Sequence, residues 1–183
     1  MKKYPVEISI AVIAITLSAV LMRILPHPPN VSPIAALALF SGSILMGWGI
    51  IVPILAMILS DLFIGFHATI PYVYGSFLLI AGIGYLIRKK MSPLSVGLGS
   101  ISGSILFFIV TNFGVWATST MYEKSLYGLF QCYYMGLPFF RNTLLGDVGY
   151  VAIFFIGFQI LRLLIVLMLP SRLGGKRHVG NTV

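Results

Sequence analysis

Long apolar segments separated by short connections are the feature that most restricts what this chain can fold into. They cover residues 6–25, 34–66, 72–87, 94–116 and 138–169. Of the 183 residues, 58% are hydrophobic and 9% are charged, whereas a soluble domain carries about 25% charged residues. Because such a chain cannot present a solvated surface, and helices satisfy their own backbone in lipid, the sequence predicts an all-α polytopic membrane protein.

The first apolar segment, 6–25, has about the length that crosses a ~30 Å hydrocarbon core. Three prolines at 26, 28 and 29 end it, since proline fixes φ and lacks a donor. Lys2 and Lys3 precede it as in a signal peptide. The apolar core is longer than a signal core, however, and no cleavage motif follows. We therefore expect a retained first helix.

The segment 34–66 fits either one over-long helix or two short helices that turn near residues 47–49. Cationic groups lie at 2–3, 88–90 and 172–177, and cations favour the cytoplasmic side. Two crossings place all three groups on that side. The sequence thus predicts six helices that cross a cytoplasmic membrane with both termini inside. Whether the second and third helices each span fully stays open.

The longest break between apolar segments, 117–136, is rich in aromatic residues, and we expect residues 122–134 within it to cover a ligand-binding cavity. Tyr122, Leu126, Leu129, Phe130 and Tyr133 are spaced like one face of a helix. This pattern predicts a short amphipathic helix on the outer surface between the fifth and sixth helices; an interfacial aromatic belt is the alternative. Residues 1–170 form the predicted transmembrane domain, and 171–183 a basic, disordered cytoplasmic tail.

Four ionisable residues, Arg23, Asp61, Arg141 and Asp147, fall in the predicted outer half of the bilayer. Charged groups inside a membrane are costly and therefore mark function by default. The alternative is that an arginine and an aspartate pair to hold helices in register. Both interpretations are compatible.

Aromatic and amide residues surround these charges in the sequence. On the sixth helix, Asp147 and Tyr150 share a stripe with other rings, and Asn112 lies four residues before Trp116. Rings beside a carboxylate suit a heterocycle with N–H groups, although ordinary aromatic packing gives the same pattern. The candidate ligand-binding residues are Arg23, Asn30, Asp61, His67, Asn112, Trp116, Tyr133, Arg141, Asn142, Asp147 and Tyr150.

Several function classes are disfavoured. The net charge of +8 is spread in short groups rather than on one soluble face, which argues against nucleic-acid binding. No catalytic or nucleotide-binding motif occurs, so we expect no enzyme and no cofactor. The single Cys132 excludes an internal disulfide, and His27, His67 and Asp61 lack metal-ligand spacing, so no metal is expected.

Four stretches carry a resemblance to a known family: HPPNVSPIAALALF at 27–40, SDLFIGFH at 60–67, TNFGVW at 111–116, and 132–147. They resemble an uncharacterised family of small bacterial six-helix membrane proteins of the DUF6580 type. That family is similar to the substrate-binding S components of energy-coupling factor (ECF) transporters.

The S-component resemblance implies capture of a vitamin-like or heterocyclic micronutrient under a loop, with a transmembrane coupling subunit and ATPases as partners. Members usually carry an Ala-xxx-Ala pattern on the first helix; this chain has Ala14 and Ser18. We therefore expect a membrane uptake subunit whose partners are a small molecule, lipid and those subunits. A scaffold protein of the cell-elongation type, a stand-alone carrier and a membrane enzyme are the alternatives.

Overall fold

The computed structural model describes residues 6–168, and within them every regular element is helical. The six α-helices are α1 Val6–Ile24, α2 Ile34–Ile44, α3 Ile51–Ile64, α4 Ile70–Ile87, α5 Pro93–Thr118 and α6 Leu126–Met168. Short 3-10 helices at Met46–Ile50 and Arg88–Lys90 precede α3 and follow α4. The all-α prediction is confirmed, and the predicted tail at 171–183 lies outside the described residues.

Chain order places the connections 25–33, 65–69 and 119–125 at one end of the bundle, here called the proline end. The connections 45–50 and 88–92 lie at the opposite end, here called the basic end because it carries Arg88–Lys90. The start of α5 at this end follows from local chemistry. Ser92 and Ser95 form a reciprocal capping box, and Pro93 occupies the first turn, where its missing N–H costs nothing.

The apolar segment 34–66 divides into two helices, as predicted. The Ser41 hydroxyl donates to the Gly49 carbonyl at 2.8 Å, which ties the 3-10 turn back onto α2. A side chain at Gly49 would overlap the backbone of Ser41, so this turn requires glycine. With 11 residues, α2 is about 16 Å long and too short to cross a bilayer alone.

Four segments of the described chain are long and apolar enough to span a membrane: Gly47–Ile64, Ile70–Lys90, Pro93–Thr118 and Leu126–Ile165. These helices are compatible with a multi-pass membrane protein. The count of six full crossings stays a prediction, since α1 and α2 contribute shorter apolar stretches, Ile8–Ile24 and Ile34–Ile44.

The core of the bundle forms around α2, whose residues 34–43 are all buried. Gly42 of α2 lies against the Ala81 carbonyl and Gly84 of α4 against the Leu39 carbonyl, so these helices meet backbone to backbone. From α6, Phe155 and Phe158 pack edge-on to Phe40 at ring distances of 5.3 and 5.2 Å. Such edge-to-face pairs add to the area that the rings bury.

The largest departure from prediction is α6, one continuous helix of 43 residues and about 65 Å. The expected start near Pro138 and the expected separate surface helix are not observed, because Pro138 lies inside α6. A proline removes one backbone hydrogen bond, which long membrane helices tolerate. Contacts with α5 hold the extra turns: Tyr133 donates to the Ile109 carbonyl at 2.7 Å, and the Cys132 thiol to the Asn112 carbonyl at 3.3 Å.

Candidate functional site

A buried ionic cluster links α1, α3 and α4 toward the proline end. The Arg23 guanidinium pairs with Oδ1 of Asp61 at 2.6 Å, with the two side chains 15% and 0% exposed. Arg23 also donates to the Ser60 hydroxyl, and the Tyr74 hydroxyl donates to Oδ2 of Asp61 at 2.7 Å. The predicted possibility of an internal arginine–aspartate pair is thus realised for these two residues.

The second buried carboxylate, Asp147, has a different environment. It lies at the middle of α6 and is 4% exposed. The Ser104 hydroxyl of α5 donates to its Oδ2 at 2.7 Å. Its other oxygen has no hydrogen-bond or ion-pair partner among residues 6–168. A buried carboxylate with one neutral donor is energetically costly unless a cation, a further donor or a proton joins it.

Both polar groups border one cavity of about 130 Å³. Its walls come from α1 to α6 and from the 25–33 connection. The lining residues are Arg23, Asn30, Ser32, Ala35, Met57, Val73, Phe77, Phe107, Thr143 and Asp147. Polar groups therefore occupy part of an otherwise apolar wall, which is the usual composition of a small-molecule site.

The 25–33 connection reaches into the bundle and supplies Asn30 to this cavity. Asn30 has φ of 61°, a left-handed conformation that asparagine tolerates better than most residues. Asn142 of α6 donates to the Pro29 carbonyl at 3.2 Å, and Val31 lies against Gly146. Residues 25–30 are exposed, and Pro29 and Val31 make the described contacts of the connection with α6.

The structure brings together part of the predicted site. Arg23, Asn30 and Asp147 line the cavity, Asp61 lies behind Arg23, and Asn142 anchors the connection. The other predicted residues lie elsewhere: His67, Asn112, Trp116, Tyr133, Arg141 and Tyr150.

Three of these residues belong to the α5–α6 hairpin at the proline end. The Trp116 indole donates to the Glu123 carbonyl at 2.9 Å, and Lys124 donates to the carbonyls of Trp116 and Ser119. The Asn112 amide donates to the carbonyl of Phe108 at 2.8 Å. The Asn112 bond lies within α5, whereas the Trp116 and Lys124 bonds and the Tyr133 bond to α5 close the hairpin. Residues 122–134 therefore do not cover the cavity, contrary to the expectation of a lid.

The remaining three predicted residues also lie away from the cavity. His67 is exposed and hydrogen-bonds Thr69 at 2.8 Å, and Arg141 is exposed on α6. Tyr150 packs on Phe154 with ring centres 6.1 Å apart, at the edge of the core. Within the described part of the chain, no three histidine, cysteine or acidic side chains lie close enough to hold a metal ion.

Sequence reasoning missed the hydroxyl partners of both carboxylates. Tyr74 lies on the helix after Asp61, and nothing in its spacing marks it. Ser104 had a weak signal, because it directly follows Gly103 in a part of α5 rich in small residues, from Ser100 to Ser104. Gly99 lies against Leu39 of α2 and isoleucines of α4, and Gly103 against Ile80 of α4, so these glycines serve packing within the chain.

Comparison with known proteins gives one match. Neither a curated protein nor a solved structure is significantly similar to this chain. The family described as "Family of unknown function (DUF6580)" matches residues 4–168, which include every helix described above. The chain therefore belongs to the DUF6580 family.

Proposed function

We propose that this protein is a substrate-binding membrane subunit for uptake of a small solute that carries N–H donors, such as a vitamin-like or heterocyclic micronutrient. The observation that carries the proposal is the unpartnered oxygen of Asp147 beside a cavity. A ligand N–H group placed there would supply the donor that the described protein lacks, and this supports a binding role.

The charges around the cavity favour a donor or cationic group on the ligand. Arg23 is neutralised by Asp61 at 2.6 Å, so Asp147 is the one lining charge without a counter-charge among the described residues. An anion would meet an uncompensated carboxylate in this site, which is unfavourable at low dielectric. Neutral heterocycles with N–H groups and small amines satisfy this requirement, and Asn30, which also lines the cavity, offers an amide.

The volume of the cavity constrains the ligand further. At about 130 Å³ it is smaller than the ~300–1,000 Å³ of sites that enclose drug-sized ligands. A compact ring fits better than a whole vitamin. For a larger ligand, the 25–33 connection is the element we expect to move, because it covers the site and its described contacts with α6 are few.

The location and energy source are part of the same proposal. With the basic end inside, the cavity opens toward the outer face of a bacterial cytoplasmic membrane. Coupling to a transmembrane subunit and ATPases follows from the resemblance to S components. Ala14 is exposed on α1 and Ser18 is half-buried, so this small-residue face is free for a partner helix.

A structural scaffold is the second candidate, and two observations favour it. The cavity is small, and the first turns of α6 expose a large apolar surface, with Leu126 87% and Phe130 67% exposed. A scaffold would bind a stable protein partner and no small molecule. A stand-alone carrier would instead transport its ligand in vesicles without any ATPase.

The test is equilibrium binding of purified protein to a panel of vitamins, nitrogen heterocycles and small amines. We expect one class to bind, and Asp147→Asn to weaken the tightest ligand at least tenfold, because the amide is a poorer acceptor and carries no charge. Glu123→Gln, which removes an exposed carboxylate far from the cavity, is the matched control and should bind normally. Equal affinity of Asp147→Asn and the unmodified protein means that the site is misplaced.

A further inference from the structure

A second, larger concavity lies between α5 and α6 at the basic end. It has a volume of about 630 Å³ and is lined by the first turns of α5 and the second half of α6. Val96 and Gly97 form one wall, and Val151, Ala152 and Phe155 form the other. None of its lining residues borders the Asp147 cavity, so this groove is independent of the proposed solute site.

The groove opens sideways toward the surface that would face lipid. Its rim residues Val148, Ile156 and Ile160 are 42%, 60% and 54% exposed. Exposed apolar side chains on this scale are normal where a helix contacts hydrocarbon. An acyl chain is therefore better suited to this groove than a water-soluble molecule.

Positive charge is concentrated where the groove reaches the membrane interface. Met91 and Ser92 line its polar end and directly follow Lys89 and Lys90, which are exposed and have no ion-pair partner among the described residues. Arg88 is engaged differently, with its guanidinium 4.2 Å above the Tyr85 ring. No acidic residue lines the groove. The charge at this end matches an anionic headgroup.

A buried hydroxyl group inside the groove gives a second indication of a ligand. Ser100 lines the deep end and is 4% exposed, and its hydroxyl has no hydrogen-bond partner among residues 6–168. A groove that leaves a buried hydroxyl unsatisfied is incompletely filled by the protein itself.

From the apolar volume, the lateral opening and the paired lysines, we propose that this groove binds an anionic phospholipid. One acyl chain lies between α5 and α6, and the headgroup phosphate contacts Lys89 and Lys90. Basic residues beside a groove between membrane helices are the arrangement that selects acidic lipids. The assignment does not rest on the proposed uptake function.

The experiment is native mass spectrometry of the full chain in detergent, titrated with phosphatidylglycerol or with phosphatidylcholine of identical acyl chains. We expect phosphatidylglycerol to bind at least tenfold more tightly. Replacing both lysines, Lys89→Gln with Lys90→Gln, should abolish that preference, because each lysine near an anionic lipid contributes about fivefold. Equal binding of the two lipids by the unmodified protein overturns the proposal.

Two glycine substitutions, one inside the groove and one outside it, test where the lipid binds. A side chain at Gly97 would meet open space, as would one at Gly82 on α4, away from the groove. Gly97→Leu should therefore weaken the affinity for both lipids at least tenfold, while Gly82→Leu should leave the affinity for both lipids unchanged. If Gly97→Leu is not monodisperse, Ala152→Phe fills the groove from α6 instead. Unaltered lipid binding in a folded filling variant contradicts the assignment, as does a copurifying protein helix in the groove in place of lipid.

Discussion

Ser104 at the middle of α5 donates its hydroxyl to Oδ2 of Asp147 at the middle of α6, at 2.7 Å. This bond joins the two long helices at a buried point of their interface, with Ser104 0% and Asp147 4% exposed. It satisfies one carboxylate oxygen, whereas the other has no partner among residues 6–168, and Asp147 lines the cavity. The pair therefore contributes both to helix association and to the proposed site.

Removing the Ser104 hydroxyl should destabilise the bundle measurably. Ser104→Ala leaves the Asp147 carboxylate without its described donor, and we expect a loss of about 1.5–3 kcal/mol in the free energy of unfolding. Ser102→Ala changes an exposed serine two residues away and should stay within about 0.5 kcal/mol. Denaturant unfolding in micelles measures both. An equal effect of the two substitutions would show that the bond contributes nothing.

The Arg23–Asp61 pair should behave as a buried ion pair. Asp61→Asn leaves a guanidinium without its counter-charge, at a cost of about 3–5 kcal/mol. The double variant Arg23→Met with Asp61→Leu removes both charges and should recover most of that loss. Thermal unfolding of Arg23→Met, Asp61→Leu and the double variant completes a double-mutant cycle. A double variant less stable than either single variant contradicts this description of the cluster.

The close contact of α2 and α4 predicts opposite results at two glycines two residues apart. A Cβ at Gly84 would overlap the Leu39 carbonyl, so Gly84→Ala must separate the helices and should cost about 1–3 kcal/mol. A Cβ at Gly82 meets nothing within 4 Å, so Gly82→Ala should be neutral or stabilising by up to about 1 kcal/mol. The midpoints of denaturant unfolding measure the stability of both variants. A Gly84→Ala variant as stable as the unmodified protein would disprove the backbone contact.

The pairing of the first turns of α6 with α5 is testable through the single cysteine. Cys132 is 2% exposed, so we expect slow reaction with maleimide in the folded protein. A Cβ at Gly136 would lie 2.6 Å from Asn112 Oδ1, so Gly136→Val should open the hairpin and accelerate labelling at least tenfold. Gly149→Val, at an open position of the same helix, is the control. Rapid labelling of the unmodified protein argues against the pairing.

The proposed orientation of the chain, with the basic end inside, rests on the positions of its cations and needs its own experiment. In a Cys132→Ser background, His67→Cys lies at the proline end and Lys89→Cys at the basic end; both positions are exposed. A membrane-impermeant maleimide added to intact cells should label position 67 and leave position 89 unlabelled. The reverse pattern would place the proposed cavity on the inner face.

Much of the fold was predictable because apolar length and proline position act locally. The ends of α1, α4 and α5 were placed within about two residues, and the turn in 34–66 near Gly49. The continuity of α6 was not predictable, since Pro138 argues for a boundary in sequence. The contacts that keep the helix intact lie on α5, at Ile109 and Asn112.

The candidate site was predictable only in part. Membrane burial marks Arg23, Asp61 and Asp147 as unusual whatever their neighbours, and two of them line the cavity. The partners are set by how helices distant in sequence meet. Trp116 and Asn112 lie within one turn of each other near the end of α5, but they face the hairpin rather than the cavity.

The most direct test of the proposed function is mass spectrometry of small molecules released from gently purified protein. We predict a nitrogen-containing solute bound in near-stoichiometric amount to the unmodified chain and to Glu123→Gln, and absent from folded Asp147→Asn. A chain that carries no solute when purified, or an Asp147→Asn variant that retains it, would contradict a solute site at Asp147.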